Sequence, residues 1–149
     1  MSVSKTNFQK GGLLKNKERN KESTVMQEKK LFIVLCTSGP NNAANARSAL
    51  MFSTISAAME CKTILFMVQE GVELMVKSSV EKETSLKPGA PTLKQRLEEA
   101  ICAGVEFQVC SQTLANKGLT EKDLIPEAKI SGAATLVDLS LQASGFLAF

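Results

Sequence analysis

The sequence predicts an α/β fold built on a parallel sheet of four or five strands. Two apolar runs, at 31–36 and 62–68, lack the alternation of half-exposed strands and are typical of strands buried on both faces. A helical pattern over 43–59 separates them, which makes a βαβ unit with parallel strands and a right-handed crossover. The 149 residues, 44% of them apolar, suffice for one compact core.

Residues 1–29 are predicted to form a disordered basic tail in front of a single domain at 30–149. Residues 1–30 hold eight Lys or Arg against three Glu, a net charge of +5, which leaves −2 for the rest of the chain. The body has no cationic stripe with interleaved aromatic residues, so we expect no nucleic-acid partner. The tail is expected to be solvated, with docking to an acidic partner as the alternative.

The first helix is expected to begin after a sharp break at 37–42, with Asn41 or Asn42 as its N-cap. A stripe of mostly small residues allows this helix to lie close to the sheet. Its members are Ala46, Ala49, Leu50, Ser53 and Ala57.

The second half of the chain alternates between strands and helices. After a helical turn at 72–76 and a polar loop at 77–91, Pro91 is expected in the first turn of a helix that Gly104 ends. The segments that follow are a strand at 105–109, a short helix at 111–116, a capped turn at 120–123, a brief strand near 129–131, a helix at 133–143 and a closing strand at 145–149.

The absence of histidine excludes Ser-His and Cys-His catalysis and His-ligated metals. The four cysteines, at 36, 61, 102 and 110, contain no Cys-x-x-Cys pair, so we expect neither a metal nor another cofactor. The N-terminus lacks the apolar core of a secretory signal, and no run reaches the roughly 20 apolar residues of a membrane span. We therefore expect a cytoplasmic protein with free thiols and no membrane partner.

The candidate site lies where the strands end, because parallel α/β sheets bind ligands outside the carboxyl ends of their strands. Cys110 ends the third strand and stands directly before a helix, whose free N–H groups favour a thiolate. Simple packing of Cys110 is the alternative. Arg47, one turn into the first helix, is a further candidate for contact with an anion. The expected anion or substrate ligands are Ser38, Gly39, Asn41, Ser111 and Gln112.

The other cysteines are weaker candidates. Cys36 ends a buried strand and is expected to be structural, although it approaches Cys110 if the first and third strands are neighbours. Cys61 and Cys102 fall at helix C-termini, on the opposite edge of the sheet. Cys102 is expected roughly 20 Å from Cys110, too far for an internal disulfide. It lies off the apolar stripe of its helix and is available to another subunit or a partner.

The order of these motifs resembles the DsrE/DsrF-like family of sulfur-relay proteins, which includes the TusD and TusC subunits. The resemblance covers residues 30–149. It rests on the strand and turn at 31–42, the Ala-rich helix, FMVQEGV at 66–72, and GVEFQVC at 104–110 with Gly118-Leu119 and Leu124-Ile125 after it.

This resemblance implies a three-layer α/β/α domain and a sulfur carrier or sulfurtransferase. Cys110 matches the position of the sulfur-accepting thiol, so it is expected to take sulfane sulfur or a thiosulfate-derived group. The implied donor or acceptor is a TusA-like or rhodanese-like protein, and the implied assembly is a homotrimer or homohexamer. Cys102 resembles a second cysteine found in some branches of the family.

Two other functions stay open at this stage. Many family members lack the cysteine and serve as partner subunits, so the chain is alternatively a non-catalytic subunit that binds a small anion or a nucleotide. The third possibility is a thiol redox protein that pairs Cys36 with Cys110.

Overall fold

The computed structural model describes residues 27–83 and 87–149 and contains a five-stranded parallel sheet. The strands are β1 (Leu31–Cys36), β2 (Lys62–Met67), β3 (Glu106–Cys110), β4 (Ala128–Ser131) and β5 (Gly145–Ala148). The helices are α1 (Ala43–Ala58), α2 (Leu93–Cys102), α3 (Ser111–Asn116) and α4 (Ala133–Gln142). Most of the tail predicted at 1–29 lies outside the described residues, and its disorder stays a prediction.

The strand order is β4-β3-β2-β1-β5, and this order places helices on both faces of the sheet. The chain moves steadily towards one edge from β1 to β4, so right-handed crossovers put α1 and α2 on the same face. The connection from β4 returns across the sheet to pair β5 with β1. The same handedness therefore puts α4 on the opposite face, which completes the predicted three layers.

The main core lies between the sheet and the layer formed by α1 and α2. The small side chains of α1 allow this close packing, and the predicted stripe is confirmed, with Ala57 at its half-buried end. The other face is covered more thinly, because α4 contributes no buried residue. The largest fully buried side chains of the main core are Phe107, Leu50, Leu65, Met67, Leu74, Met75 and Leu93.

The structure corrects the predicted cap of α1, which begins at Ala43 as expected, and the predicted start of α2. Asn42 precedes α1 but makes no side-chain cap hydrogen bond, because the chain enters α1 through a 3₁₀ turn at Pro40–Asn42. Helix α2 begins at Leu93, two residues after Pro91. Thr92 caps it by a reciprocal pair of hydrogen bonds with Gln95, a capping box that satisfies two backbone N–H groups.

The loop between β2 and α2 is anchored by a buried carboxylate. The side chain of Glu83 is 3% exposed and forms an ion pair with Arg47 of α1. It also accepts a hydrogen bond from the backbone N–H of Leu93, at 2.8 Å, at the start of α2. The expectation that Arg47 is available to an anion is therefore wrong, because its guanidinium holds this loop.

We expect Glu83→Gln to lower the free energy of unfolding by about 2 kcal/mol, because it leaves the Arg47 charge without its buried partner. Urea unfolding followed by circular dichroism measures this change. The matched control is Glu81→Gln, which removes an exposed ion pair with Lys94 and is expected to cost about 0.5 kcal/mol or less. Equal losses of unfolding free energy in both variants would show that Glu83 does not hold the loop in place.

Candidate functional site

The loops that follow β1 and β2 pack against each other at the carboxyl edge of the sheet. A Cβ atom at Gly39 would collide with the backbone carbonyl of Glu70, and one at Gly71 would collide with the carbonyl of Cys36. Glycine at both positions permits this contact. The structure thus gives Gly39 a packing role and brings the 3₁₀ segment Gln69–Met75, called here the 69–75 segment, beside the end of β1.

Cys110 is the last residue of β3 and lies directly before α3, with 6% of its surface exposed. Burial raises the pKa of its thiol, but hydrogen bonds from the N–H and hydroxyl of Thr113 and from the N–H of Gln112 outweigh burial and lower the pKa overall. The thiolate is therefore favoured without histidine, by hydrogen bonds that stabilise the charged form.

The 69–75 segment is held against α3 by hydrogen bonds and ion pairs. The backbone N–H of Gln69 donates to the Oγ1 atom of Thr113 at 3.3 Å. Directly after the end of α3, the Nζ atom of Lys117 lies 2.9 Å from a carboxylate oxygen of Glu70 and 3.0 Å from one of Glu73. The hydrogen bond from Lys117 lowers the pKa of the Glu70 carboxyl group. Glu70 is therefore paired within the protein.

Cys36 is placed apart from Cys110. Strand β2 lies between β1 and β3, so the two Cα atoms are about 10 Å apart across two strand spacings. In register, Cys36 is level with Met67 and Val109, one residue short of Cys110, so the two side chains point to opposite faces. Because β1 and β3 are not neighbours, Cys36 does not approach Cys110. The structure therefore argues against a redox pair of these two cysteines.

The thiol of Cys36 belongs to the main core. Its side chain is fully buried, and Sγ donates to the carbonyl of Ser38 at 3.2 Å. Burial raises the pKa of this thiol to about 11. The expectation that Cys36 is structural agrees with these contacts.

The other predicted ligands are only partly brought together. Ser38 is buried and its hydroxyl accepts a hydrogen bond from Asn42 at 3.4 Å. Ser111 and Gln112 are exposed directly after Cys110, and the N–H of Gln112 is one of the groups that lower the pKa of its thiol. Asn41 instead lines a cavity of about 400 Å³ that Lys82 and Lys117 also line, whereas Cys110 does not.

Cys102 and Cys61 lie at the amino edge of the sheet, away from Cys110. Cys102 is exposed at the last residue of α2, as predicted, and Cys61 is half-buried just before β2. An internal pair of Cys102 with Cys110 is excluded, because the two residues lie at opposite ends of β3.

The sequence interpretation missed Thr113 and Lys117 as parts of the site. A signal was present, because Thr113 follows Cys110 by three residues and Lys117 follows Thr113 by four. In a helix this spacing places both side chains on one face. Their contacts with the 69–75 segment depend on tertiary packing, and no sequence pattern near Thr113 or Lys117 predicts them.

The described residues show no metal site and no membrane helix. Between 27 and 83 and between 87 and 149, no three Cys, Asp or Glu side chains are grouped so that they could bind a metal ion. Over the same ranges, no helix combines the length and apolar character needed to cross a membrane.

Comparisons with known proteins find a matching family profile, two curated relatives and solved structures with the same fold. The sequence profile of the DsrE/DsrF-like family matches residues 29–149. Two curated relatives come from Methanocaldococcus jannaschii. The uncharacterized protein MJ0989 is 31% identical over 108 residues, covering 72% of this chain and 87% of that protein. The uncharacterized protein MJ0760 is 25% identical over 126 residues, covering 85% of this chain but only 45% of the relative's length.

Two solved structures share the fold. The ychN protein from E. coli superposes with a TM-score of 0.63 at 21% identity, covering 81% of this chain and 99% of that one. MTH1491, a protein of unknown function from Methanobacterium thermoautotrophicum, gives a TM-score of 0.57 at 16% identity, covering 82% and 100%.

We expect Cys36 to make the folded state sensitive to alkaline pH. Its folded pKa, about 11, lies above the ordinary value of 9.0, so folding favours the neutral thiol. This contribution is complete below about pH 9 and is lost as the pH rises to about 11, a total of about 3 kcal/mol. Urea unfolding at stepped pH should show a shallower alkaline decline for Cys36→Ala than for the wild type. Parallel declines would contradict the assignment.

Proposed function

Since the chain belongs to the DsrE/DsrF-like family, we propose that it is a sulfur carrier that accepts sulfane sulfur, or a thiosulfate-derived group, on Cys110 and passes it to a partner protein. The observation that supports this most directly is the place of Cys110, at the carboxyl end of β3 and directly before the first turn of α3. Three donors from α3 favour its thiolate at the edge of the sheet where such folds bind ligands.

The proposed transfer is a thiol exchange that needs no cofactor. The Cys110 thiolate attacks the outer sulfur of a donor persulfide, a new S–S bond forms at Cys110, and the donor's own sulfur leaves as a thiolate. With tetrathionate the same attack leaves an S-thiosulfonate on Cys110 and releases thiosulfate. A partner thiolate then attacks the outer sulfur of the Cys110 persulfide and returns Cys110 to the thiolate.

The proposed partners follow the family. A TusA-like carrier or a rhodanese-like protein is the proposed donor or acceptor, and the cytoplasm is the proposed location. Direct attack by a partner requires access to the sulfur of Cys110, a residue that is 6% exposed. The residues after it, Ser111 and Gln112, are uncharged and exposed, which leaves room for a partner chain to approach.

A second candidate function is a binding subunit. The cavity of about 400 Å³ beside the site has the size of a small-molecule pocket. Lys82 and Lys117 on its wall favour an anionic ligand, such as a small anion or a nucleotide, although Glu73 on the same wall opposes the charge. In this alternative Cys110 is a packed side chain and forms no adduct.

We also propose a homo-oligomer, with a trimer or hexamer as the forms that the family implies. Helix α4 carries an outward apolar row at heptad-like spacing, and its exposed members include Val137 at 61% and Leu141 at 83%. Asp138 is its single charged residue. Exposed apolar side chains with little charge nearby are typical of permanent interfaces between subunits.

Treatment with tetrathionate or a small persulfide donor should add sulfur to Cys110. Intact mass spectrometry is expected to show an adduct on the wild type that dithiothreitol removes, and no such adduct at this position in Cys110→Ser. Cys102→Ser and Cys61→Ser are the controls for reaction at the more exposed thiols. Absence of an adduct at Cys110 would favour the binding subunit, and a loss of two hydrogens would indicate a disulfide instead.

Leu141→Glu is expected to dissociate the oligomer, because it places a charge in an apolar contact between subunits. Size-exclusion chromatography with light scattering measures the mass of the particle. Met59→Glu is the matched control, since Met59 is 73% exposed but lies at the end of α1. An unchanged mass for Leu141→Glu, or a monomeric wild type, would remove α4 as an interface.

A further inference from the structure

We infer that Thr113 is a positioning residue for Cys110 and that Lys117 acts through it, by clamping the 69–75 segment against α3. The proposed nucleophile therefore depends on a chain of contacts that runs from an ion cluster to the sulfur. This inference rests on the proposed function of Cys110 as a nucleophile. It concerns how the thiolate is prepared, and its test requires no sulfur transfer.

The orientation of the Thr113 hydroxyl is set by the hydrogen bond that it accepts from Gln69. A hydroxyl offers one hydrogen and two lone pairs. The N–H of Gln69 occupies one lone pair of the Thr113 hydroxyl, at 3.3 Å. Thr113 follows Cys110 by three residues in the first turn of α3, and its hydroxyl lowers the pKa of the Cys110 thiol. The hydrogen of a hydroxyl that accepts from Gln69 in this way is left to donate to the sulfur, and this donation is the contact that we infer.

Other helical hydroxyls in the described residues behave differently. Ser48, Ser53 and Thr54 donate back to the carbonyl four residues earlier, the usual satisfaction of such side chains. Thr113 lies in the first turn of α3, where the residue four before it, Val109, is still in β3. Its hydrogen is therefore not taken up by the helix and is available to Cys110.

Gln69 reaches Thr113 from an unfavourable backbone conformation. Its φ angle is +51°, in the left-handed region that a residue with a side chain seldom adopts. Such strain persists only where the surroundings impose it. Here the adjacent residues Val68 and Gly71 are bonded by their N–H groups to the carbonyls of Cys36 and Thr37, at 3.0 and 3.1 Å.

Lys117 also holds the 69–75 segment, from its position at the end of α3. Its ammonium group bonds both carboxylate oxygens of Glu70 and one of Glu73, so it ties two residues of the 69–75 segment to α3. Gln69 is the direct neighbour of Glu70, and Thr113 lies one helical turn before Lys117. By holding Glu70 and Glu73 against α3, Lys117 fixes the distance between the N–H of Gln69 and the hydroxyl of Thr113. The charged groups of the elements around Cys110 are Glu70, Glu73, Lys117, Lys62 on β2, Glu106 on β3 and Lys129 on β4.

The test measures the pH dependence of Cys110 alkylation by iodoacetamide, quantified for the Cys110 peptide by mass spectrometry. The wild-type midpoint is expected below the ordinary cysteine pKa of 9.0. Thr113→Val keeps the side-chain shape and the N–H but lacks the hydroxyl, and should raise the midpoint by about one pH unit. Thr113→Ser should restore it. An unchanged midpoint in Thr113→Val would overturn the inference.

Gln69→Gly is the matched control for the backbone contact. Glycine adopts positive φ readily and keeps the N–H that bonds Thr113, so the alkylation midpoint should stay at the wild-type value. A shift in this variant would mean that the Gln69 side chain, and not its N–H, acts on Cys110.

A double-mutant cycle separates the clamp from a direct effect of charge. Lys117→Met should raise the Cys110 midpoint in the wild-type background but not in the Thr113→Val background, if Lys117 acts through Thr113. A shift of equal size in both backgrounds would show that the Lys117 charge acts on the sulfur by itself, and would overturn this part of the inference. Because the measured quantity is alkylation of Cys110, the result holds even if Cys110 transfers no sulfur.

Discussion

The structure depends above all on the hydrogen-bonded junction between the ends of β1 and β2. The N–H of Val68 bonds the carbonyl of Cys36, and the N–H of Gly71 bonds that of Thr37, so the parallel pairing continues past both strands. Glycine is needed there because the two backbones leave no room for a Cβ atom. This junction fixes the 69–75 segment, and through it the surroundings of the third strand end. The backbone hydrogen bonds of this junction therefore determine how the 69–75 segment lies at the carboxyl edge of the sheet.

The site shows how a thiolate is favoured in a protein without histidine. Burial alone raises a thiol pKa, as Cys36 shows within the same sheet. Cys110 is almost as buried, but it receives hydrogen bonds from the first turn of α3, and these reverse the direction of the shift. The difference between the two cysteines lies in available donors. The strand-to-helix corner supplies N–H groups that have no partner within the helix.

Much of the fold follows from local patterns, and the exceptions have physical causes. Strands β1 and β2 were predictable because buried parallel strands are continuous apolar runs bounded by turns. Strand β4 is half-exposed and has no such run, so its sequence predicted only a brief strand near 129–131. The start of α2 was misplaced by two residues, since Pro91 and Thr92 are both good helix starters and the capping box with Gln95 decided between them. The pairing of Arg47 with Glu83 was not predictable. The two residues are 36 positions apart, and only the packing of the loop onto α1 brings them together.

The sequence by itself determined the alternation of strands and helices, the position of Cys110 at a strand end, and the absence of histidine-based chemistry. Those properties are local or compositional, so they need no knowledge of which strands are neighbours. The tertiary structure alone decided that β2 separates Cys36 from Cys110, and that the 69–75 segment bonds Thr113 and Lys117. Strand order and loop packing are set by burial and hydrogen bonding between distant segments. No pattern within one segment encodes them.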